Sequence, residues 1–258
     1  MFTSNPFAEL SAFIAPAVMQ TYVVLMIVLV VAGTLFDIVH KGSAKYFFAN
    51  WRKSKRKGTQ QVELASIALQ TAVVDVLASG EFCNARRRVA HLLTMYGFVL
   101  YVVTTVVMVF RYATPATPGP DVWPVLWWIG GLMILAGGYW FWFFIRADVA
   151  AEGNSPFRVM RADLFVLSLL ASVTLGLIWA YAQTRGSSWT HAWFALYVIA
   201  TTVLFGSVAW SKFAHMFFKP AAAFEKRVSY ANGTRSNLPA AADKPEQFGS
   251  ARTAPRHY

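Results

Sequence analysis

Two histidines, His91 and His215, lie just inside the ends of two long apolar stretches. A histidine buried in a bilayer is costly unless it has a partner or a task. Two imidazoles at one depth on antiparallel helices can each give a nitrogen to one metal centre, such as the iron of a haem. A second reading stays open, in which each is an interfacial histidine bonded to a backbone carbonyl. His40 ends another apolar stretch three residues after Asp37. Residues three apart are neighbours on a helix, so Asp37 could orient His40 as carboxylates orient working imidazoles, or accept a proton. The plainer reading is a polar helix end that reaches headgroups and water. His191 stands alone at the start of its stretch and His257 lies near the C-terminus.

The elements that must position these residues are membrane spans. Of 258 residues, 57% are hydrophobic and 14% charged, against about 25% charged in soluble domains. The net charge of +11 sets topology in such a protein, and no nucleic-acid module accompanies it. Cys83 is the only cysteine, which excludes an internal disulfide, a cysteine-ligated iron–sulfur cluster and a CxxCH haem attachment. The apolar run from Pro16 to Val39, with no Lys or Arg in the first forty residues, is longer than a signal-peptide core and predicts a retained span.

Five stretches are long enough to cross a bilayer as helices of about 20 residues: Ala17–Val39, Val89–Tyr112, Val122–Ile145, Leu164–Ala182 and Trp193–Phe218. Basic residues crowd the connections after the first, third and fifth (Lys41 to Arg88, Arg146 to Arg161, and from Lys219 onward), while the opposite loops hold only Arg111 and Arg185. The positive-inside rule then predicts an all-α, five-transmembrane-helix bundle with its N-terminus outside and its C-terminus cytoplasmic. Trp123, Trp127 and Trp128 are expected as anchors at the outer interface, and Tyr139, Trp140 and Trp142 near the inner one. On this topology His91 and His215 sit at nearly the same cytoplasmic-side depth.

Residues 1–16 form a periplasmic segment in this scheme, and 17–220 the membrane domain. A cytoplasmic amphipathic helix is expected at about 58–80, its apolar face made by Val62, Leu69, Val73, Val76 and Leu77. Such a helix lies on the membrane, docks a partner or packs on the bundle itself. Residues 221–258 form a polar cytoplasmic tail; from Glu225 it has few large apolar residues and is expected to be disordered or to order against a partner. The Asn232-Gly233-Thr234 triplet is a glycosylation pattern that a cytoplasmic tail makes irrelevant. Gly130-Gly131 and Gly137-Gly138, seven residues apart, are expected to share one face of the third helix and permit close packing there.

The stretch Arg87-Arg88-Val89-Ala90-His91-Leu92-Leu93-Thr94-Met95-Tyr96-Gly97-Phe98 resembles the second helix of the nitrate reductase gamma-like haem b membrane subunits. Trp210-Ser211-Lys212-Phe213-Ala214-His215-Met216-Phe217-Phe218-Lys219-Pro220 resembles the end of that family's last helix. The likeness covers roughly residues 17 to 220. Within the group the chain is most similar to the membrane anchors of dissimilatory adenylylsulfate reductase in sulfur-oxidising bacteria. Two-haem relatives carry further histidines where this chain has Tyr101 and Tyr197, and tyrosine is a rare haem ligand. The resemblance therefore implies at most one haem b, with His91 and His215 as axial ligands.

It also implies an electron-transfer anchor in the bacterial inner membrane. Such an anchor links a soluble flavin and iron–sulfur enzyme, of the adenylylsulfate reductase type, to the quinone pool. Quinone reduction needs protons and a polar contact at each carbonyl. Asp37, His40 and Lys212 are the candidates at the inner face, and Tyr101 and Tyr197 at mid-membrane. Membrane lipid, quinone and the soluble subunits are the expected partners, and nucleic acid is not. Two other classes remain: a scaffold without redox activity, and a small transporter. No span has a charge at its centre, which weighs against transport.

Overall fold

The structure, a computed structural model, describes residues 2–40, 42–57, 63–80, 82, 84–146, 159–160, 163–210 and 215–234. Every regular element among them is helical. The described residues fall into two compact units, one within Met1–Asp37 and Val89–Ala214, the other within Ile38–Arg88 and His215–Tyr258.

The first unit holds the apolar helices. Four are long and apolar enough to cross a membrane: α2 (Pro16–His40), α5 (Ala85–Arg111), α6 (Val122–Ile145) and α7 (Leu164–Thr184). Half of α7's apolar window (50%) is buried against the rest of the protein, and only 11% of that of α2. Val24, Ile27, Val28, Val31 and Leu35 of α2 are each about half exposed. A helix that is apolar all round and uncovered by protein needs an apolar solvent.

A short helix α1 (Pro6–Leu10) closes one end of the unit. Asn5 caps it, its side-chain oxygen accepting from the amides of Phe7 (3.0 Å) and Ala8 (3.4 Å). Such a cap satisfies amides that a helix start leaves open. Phe7 and Leu10 are buried. Asn5 Nδ2 donates to the Tyr112 carbonyl (2.8 Å), and Gln183 Nε2 donates to the Pro6 carbonyl and to Glu9 Oε2, both at 3.1 Å. These bonds tie the N-terminal segment to the ends of α5 and α7.

Helix α8 (Thr190–Gly206) follows α7 through a tight reversal. Gly186, at φ +61°, takes the left-handed position, and the amides of Gly186 and Ser187 return to the carbonyls of Gln183 and Ala182. This is a Schellman stop, which favours glycine at that position. The sequence predicts one span over Trp193–Phe218, but α8 ends at Gly206. Ser207 Oγ donates to the Leu204 carbonyl, and residues 207–210 form turns. Glycine followed by a serine that competes for backbone partners ends the helix where the apolar run does not. At 17 residues α8 is a shorter apolar helix than the four candidate spans.

The second unit contains α3 (Ser43–Lys57), α4 (Leu64–Leu77) and α9 (His215–Ala231). The second half of α4, Thr71–Leu77, is wound with π-type spacing. Trp51 of α3 stacks on Phe224 of α9 with centroids 5.6 Å apart. Arg227 of α9 holds Asp75 of α4 through two bonds, 2.5 and 2.8 Å. Helix α3 stands where the sequence shows only a basic loop. Helix α9 continues past Glu225, where a disordered tail is expected, because Ala223 and Val228 supply a buried face. Residues 235–258 of the tail, His257 among them, lie outside the described residues.

Candidate functional site

The centre of the first unit is an aromatic cluster around Tyr101 of α5 and Tyr197 of α8. Both tyrosines are 6% exposed. They meet over Gly176 of α7, where a methyl group would lie 2.6 Å from Tyr101 Oη and 2.9 Å from Tyr197 Cε2. Only a residue without Cβ lets both rings approach the helix there. Trp127 stacks on Tyr101 (4.9 Å, 24°) and Trp179 on Tyr197 (5.7 Å, 11°). Phe7 of the N-terminal helix sits edge-on to both indoles, at 6.0 and 5.4 Å. Trp127 and Trp179 are wholly buried.

Trp127 is therefore part of the core and not the interfacial anchor that its place at the start of α6 suggests. Its Nε1 donates to Thr105 Oγ1 at 3.0 Å, and Thr105 donates in turn to the Tyr101 carbonyl. Trp128 is also buried, at 7% exposure. The two phenols lie within electrostatic reach of one another, but Tyr101 Oη has no partner with hydrogen-bond geometry among the described residues, and neither has Trp179 Nε1. Close-packed aromatics surround Tyr101 and Tyr197, so these residues do not fit a haem at that level of the bundle.

The glycines of α6 serve two faces. A Cβ at Gly130 or Gly137 would strike α5, at the Tyr101 amide (2.8 Å) or the Ala90 carbonyl (2.5 Å). A Cβ at Gly131 or Gly138 would strike Leu177 or Leu170 of α7, at 3.0 and 2.7 Å. Small residues here let α5 and α7 approach α6 on both sides. The Gly137 contact fixes the turn of α5 that carries Ala90 and His91.

His91 is half-buried in the second turn of α5. Asp37, near the end of α2, is 1% exposed. Gly33, one turn earlier, packs on Val208, which a Cβ would meet at 2.9 Å. The carboxyl of Asp37 is thus held in a closely packed part of the first unit. His40, the last residue of α2, is exposed and so departs from the burial of Asp37. His191 is exposed and packs edge-on to Phe13 (4.4 Å). His215 is the first residue of α9 in the second unit. Lys212 and Cys83 lie outside the described residues. Among the described residues no group of three or more His, Cys, Asp or Glu could hold a metal ion.

The structure thus brings together Tyr101 and Tyr197, the pair that the resemblance singles out. It adds Trp127, Trp179, Phe7 and Gly176, which sequence reasoning missed. The available signal for Trp179 was the apolar period of α7, which does not reveal which helices are neighbours.

No protein-family model matches the chain, and no solved structure matches it. A curated relative, citrate utilization protein B of Escherichia coli, is 27% identical over 195 residues, covering 69% of this chain and 50% of the relative. The chain spans about half the length of that relative. It is a helical protein with four candidate membrane spans and a distant similarity to citrate utilization protein B.

Proposed function

We propose that the chain is the membrane anchor and electron-transfer subunit of an oxidoreductase complex in a bacterial inner membrane. Its soluble partner is a flavin and iron–sulfur enzyme of the adenylylsulfate reductase type, and its second substrate is a quinone. The observation that carries the proposal is the asymmetry of α5. An imidazole, His91, stands near one end, and ten residues on Tyr101 enters a sealed aromatic core. Donor chemistry is kept at one end and packed out of the other.

In this reading the N-terminus is outside and the His91 end of α5 faces the cytoplasm. His91 and His215 would hold one haem b iron through imidazole nitrogens, and a bound haem supplies a one-electron relay. Asp37 and His40 hold and pass protons for the quinone at the same end of the membrane, with Lys212 as a further polar contact. Tyr101 and Tyr197, which the sequence also offers as quinone contacts, act instead as packing. The basic surface that includes Lys45, Arg52 and Arg86 draws the soluble subunits.

A small transporter is the second reading, and the relative's name, citrate utilization, makes a tricarboxylate the cargo to weigh. The five apolar helices carry no Lys or Arg between Val89 and Phe110, Val122 and Ile145, Leu164 and Thr184, Thr190 and Gly206, or Pro16 and Val39. A tricarboxylate inside a bundle needs such cations. The polar groups that are present are largely used in packing: Gln20 donates to the Val109 carbonyl (3.3 Å), Tyr139 meets Thr174 (2.9 Å) and Ser172 meets Thr201 (2.7 Å). Transport is disfavoured on both counts.

A reduced-minus-oxidised visible spectrum of the purified protein tests the relay. Low-spin b-type bands are expected, with loss on His91→Ala or His215→Ala and retention on Tyr101→Phe. A correctly assembled, colourless protein overturns the relay. Reduction of a quinone analogue by the assembled complex then separates direct quinone access from a scaffold that only holds the enzyme at the membrane.

A further inference from the structure

Helix α4 is inside out. Its polar positions, Thr71 (3% exposed) and Asp75, turn inward, and Asp75 is tied to Arg227 of α9. Most of its exposed positions are apolar, Ser66 and Gln70 being the polar ones: Leu69 is 67% exposed, Val73 48% and Leu77 51%. Ala65 completes that row at the same four-residue spacing. A helix on the surface of a water-soluble body shows the opposite arrangement. Asp75 is the only charged residue of the helix, and the ion pair with Arg227 keeps it off the exposed row.

The length and setting of the helix identify what covers this row. At 14 residues, Leu64–Leu77 is too short to span a bilayer and suits an interfacial helix. The chain leaves the candidate span α2 before it and enters the candidate span α5 after it, so both ends of the segment are anchored at a membrane. Residues 41–88 contain ten Lys or Arg against three Asp or Glu. Lys45, Arg52 and Arg86 are exposed. An apolar row inside a basic surround is the pattern that binds anionic headgroups.

We propose that α4 lies on an anionic phospholipid surface, with Leu69, Val73 and Leu77 inserted among the acyl chains. The ion pair Asp75–Arg227 sets the rotation of the helix, and the surrounding lysines and arginines meet lipid phosphates. The helix then acts as a membrane-resting platform independent of any cofactor in the bundle.

The test uses the full chain in nanodiscs of phosphatidylcholine and phosphatidylglycerol in equal parts. Spin labels are placed singly on Leu69→Cys, Val73→Cys and Leu77→Cys, with Cys83→Ser, and on Thr117→Cys in the exposed loop before α6 as a control. The three α4 labels are expected to collide with oxygen and to be shielded from a water-soluble nickel chelate, and the control to show the reverse. Labels open to the chelate overturn the proposal. Labels shielded from both reagents also overturn it, since protein and not lipid then covers the helix. The unmodified chain gives a second readout by hydrogen exchange. Amides of 64–77 are expected to exchange more slowly with phosphatidylglycerol present than in phosphatidylcholine alone, and equal exchange counts against anionic recognition.

Discussion

Replacing Gly176 by alanine sets two opposing effects against each other. In a helix interior, glycine is worse than alanine by roughly 0.5–1 kcal/mol, so on propensity alone the change stabilises. The packing opposes it. The new methyl would lie 2.6 Å from Tyr101 Oη and 2.9 and 3.1 Å from the Tyr197 ring. Neither ring can retreat, because Tyr101 is backed by Trp127 and Tyr197 by Trp179, both wholly buried. Overpacking of this kind costs about 1–3 kcal/mol. A net loss of about 1–2 kcal/mol is expected, and on the soluble-protein scale each kcal/mol moves Tm by about 2–4 °C.

A second substitution separates this cause from others. Tyr101→Phe removes the oxygen at the shortest contact, and that oxygen makes no hydrogen bond of good geometry among the described residues. Alone it should change stability by less than about 0.5 kcal/mol, since no bond is lost. Combined with Gly176→Ala it should recover about 1 kcal/mol, a coupling that a double-mutant cycle measures. The assay is thermal unfolding in detergent, followed by tryptophan emission from the Trp127 and Trp179 environment. A more stable Gly176→Ala protein would show that propensity wins and refute the reasoning. A double variant that simply sums the two single losses would refute the contact as its cause.

Three other outcomes follow from the geometry. Arg227→Gln leaves Asp75 without its bidentate partner in a site where the two side chains are 27% and 12% exposed; about 1–2 kcal/mol of local stability should be lost, read as faster hydrogen exchange over 64–77. Gly137→Leu drives a side chain into the Ala90 carbonyl, which a Cβ alone meets at 2.5 Å. The turn that carries His91 must move, and on the proposed relay the b-type band falls while the protein remains a helical membrane protein by circular dichroism. Docking of the proposed soluble subunits should weaken as salt rises from low to physiological ionic strength, because Lys45, Arg52 and Arg86 are exposed; binding that ignores salt would remove the basic surface from the docking site.

The spans were legible because runs of some 20 apolar residues are hard to mistake. Val122 and Ile145 bound α6 both in the sequence pattern and in the structure. The break at Gly206 was hidden because hydropathy continues through Val208 and Trp210, while helix continuity depends on the backbone preferences of Gly206 and Ser207. Helix α3 was masked by its own lysines and arginines; Phe47 and Trp51, four apart, were the signal, and Phe224 is the partner that makes it count. Tyr101 and Tyr197 stood out in the sequence as a facing pair, but what seals them did not. Trp127 looked interfacial from its position, and its burial depends on Phe7, which is 120 residues away in the chain.

The sealed core bears on how charge would move through the proposed anchor. A bilayer core is about 30 Å thick, and ten residues of helix from His91 to Tyr101 cover about 15 Å of it. Past that depth α5 is closed by Tyr101, Trp127, Tyr197 and Trp179, stacked and buried. Close packing of these four rings works against a quinone ring or a file of water between them. In the proposed anchor, electrons delivered near His91 would leave to a quinone on the same side. On the proposed topology Asp37, buried near the end of α2, would supply protons from that side too. Electron and proton would then enter the quinone from one aqueous phase, and no net charge would cross the membrane. In the proposed anchor the two tyrosines are what keep the traffic to one face.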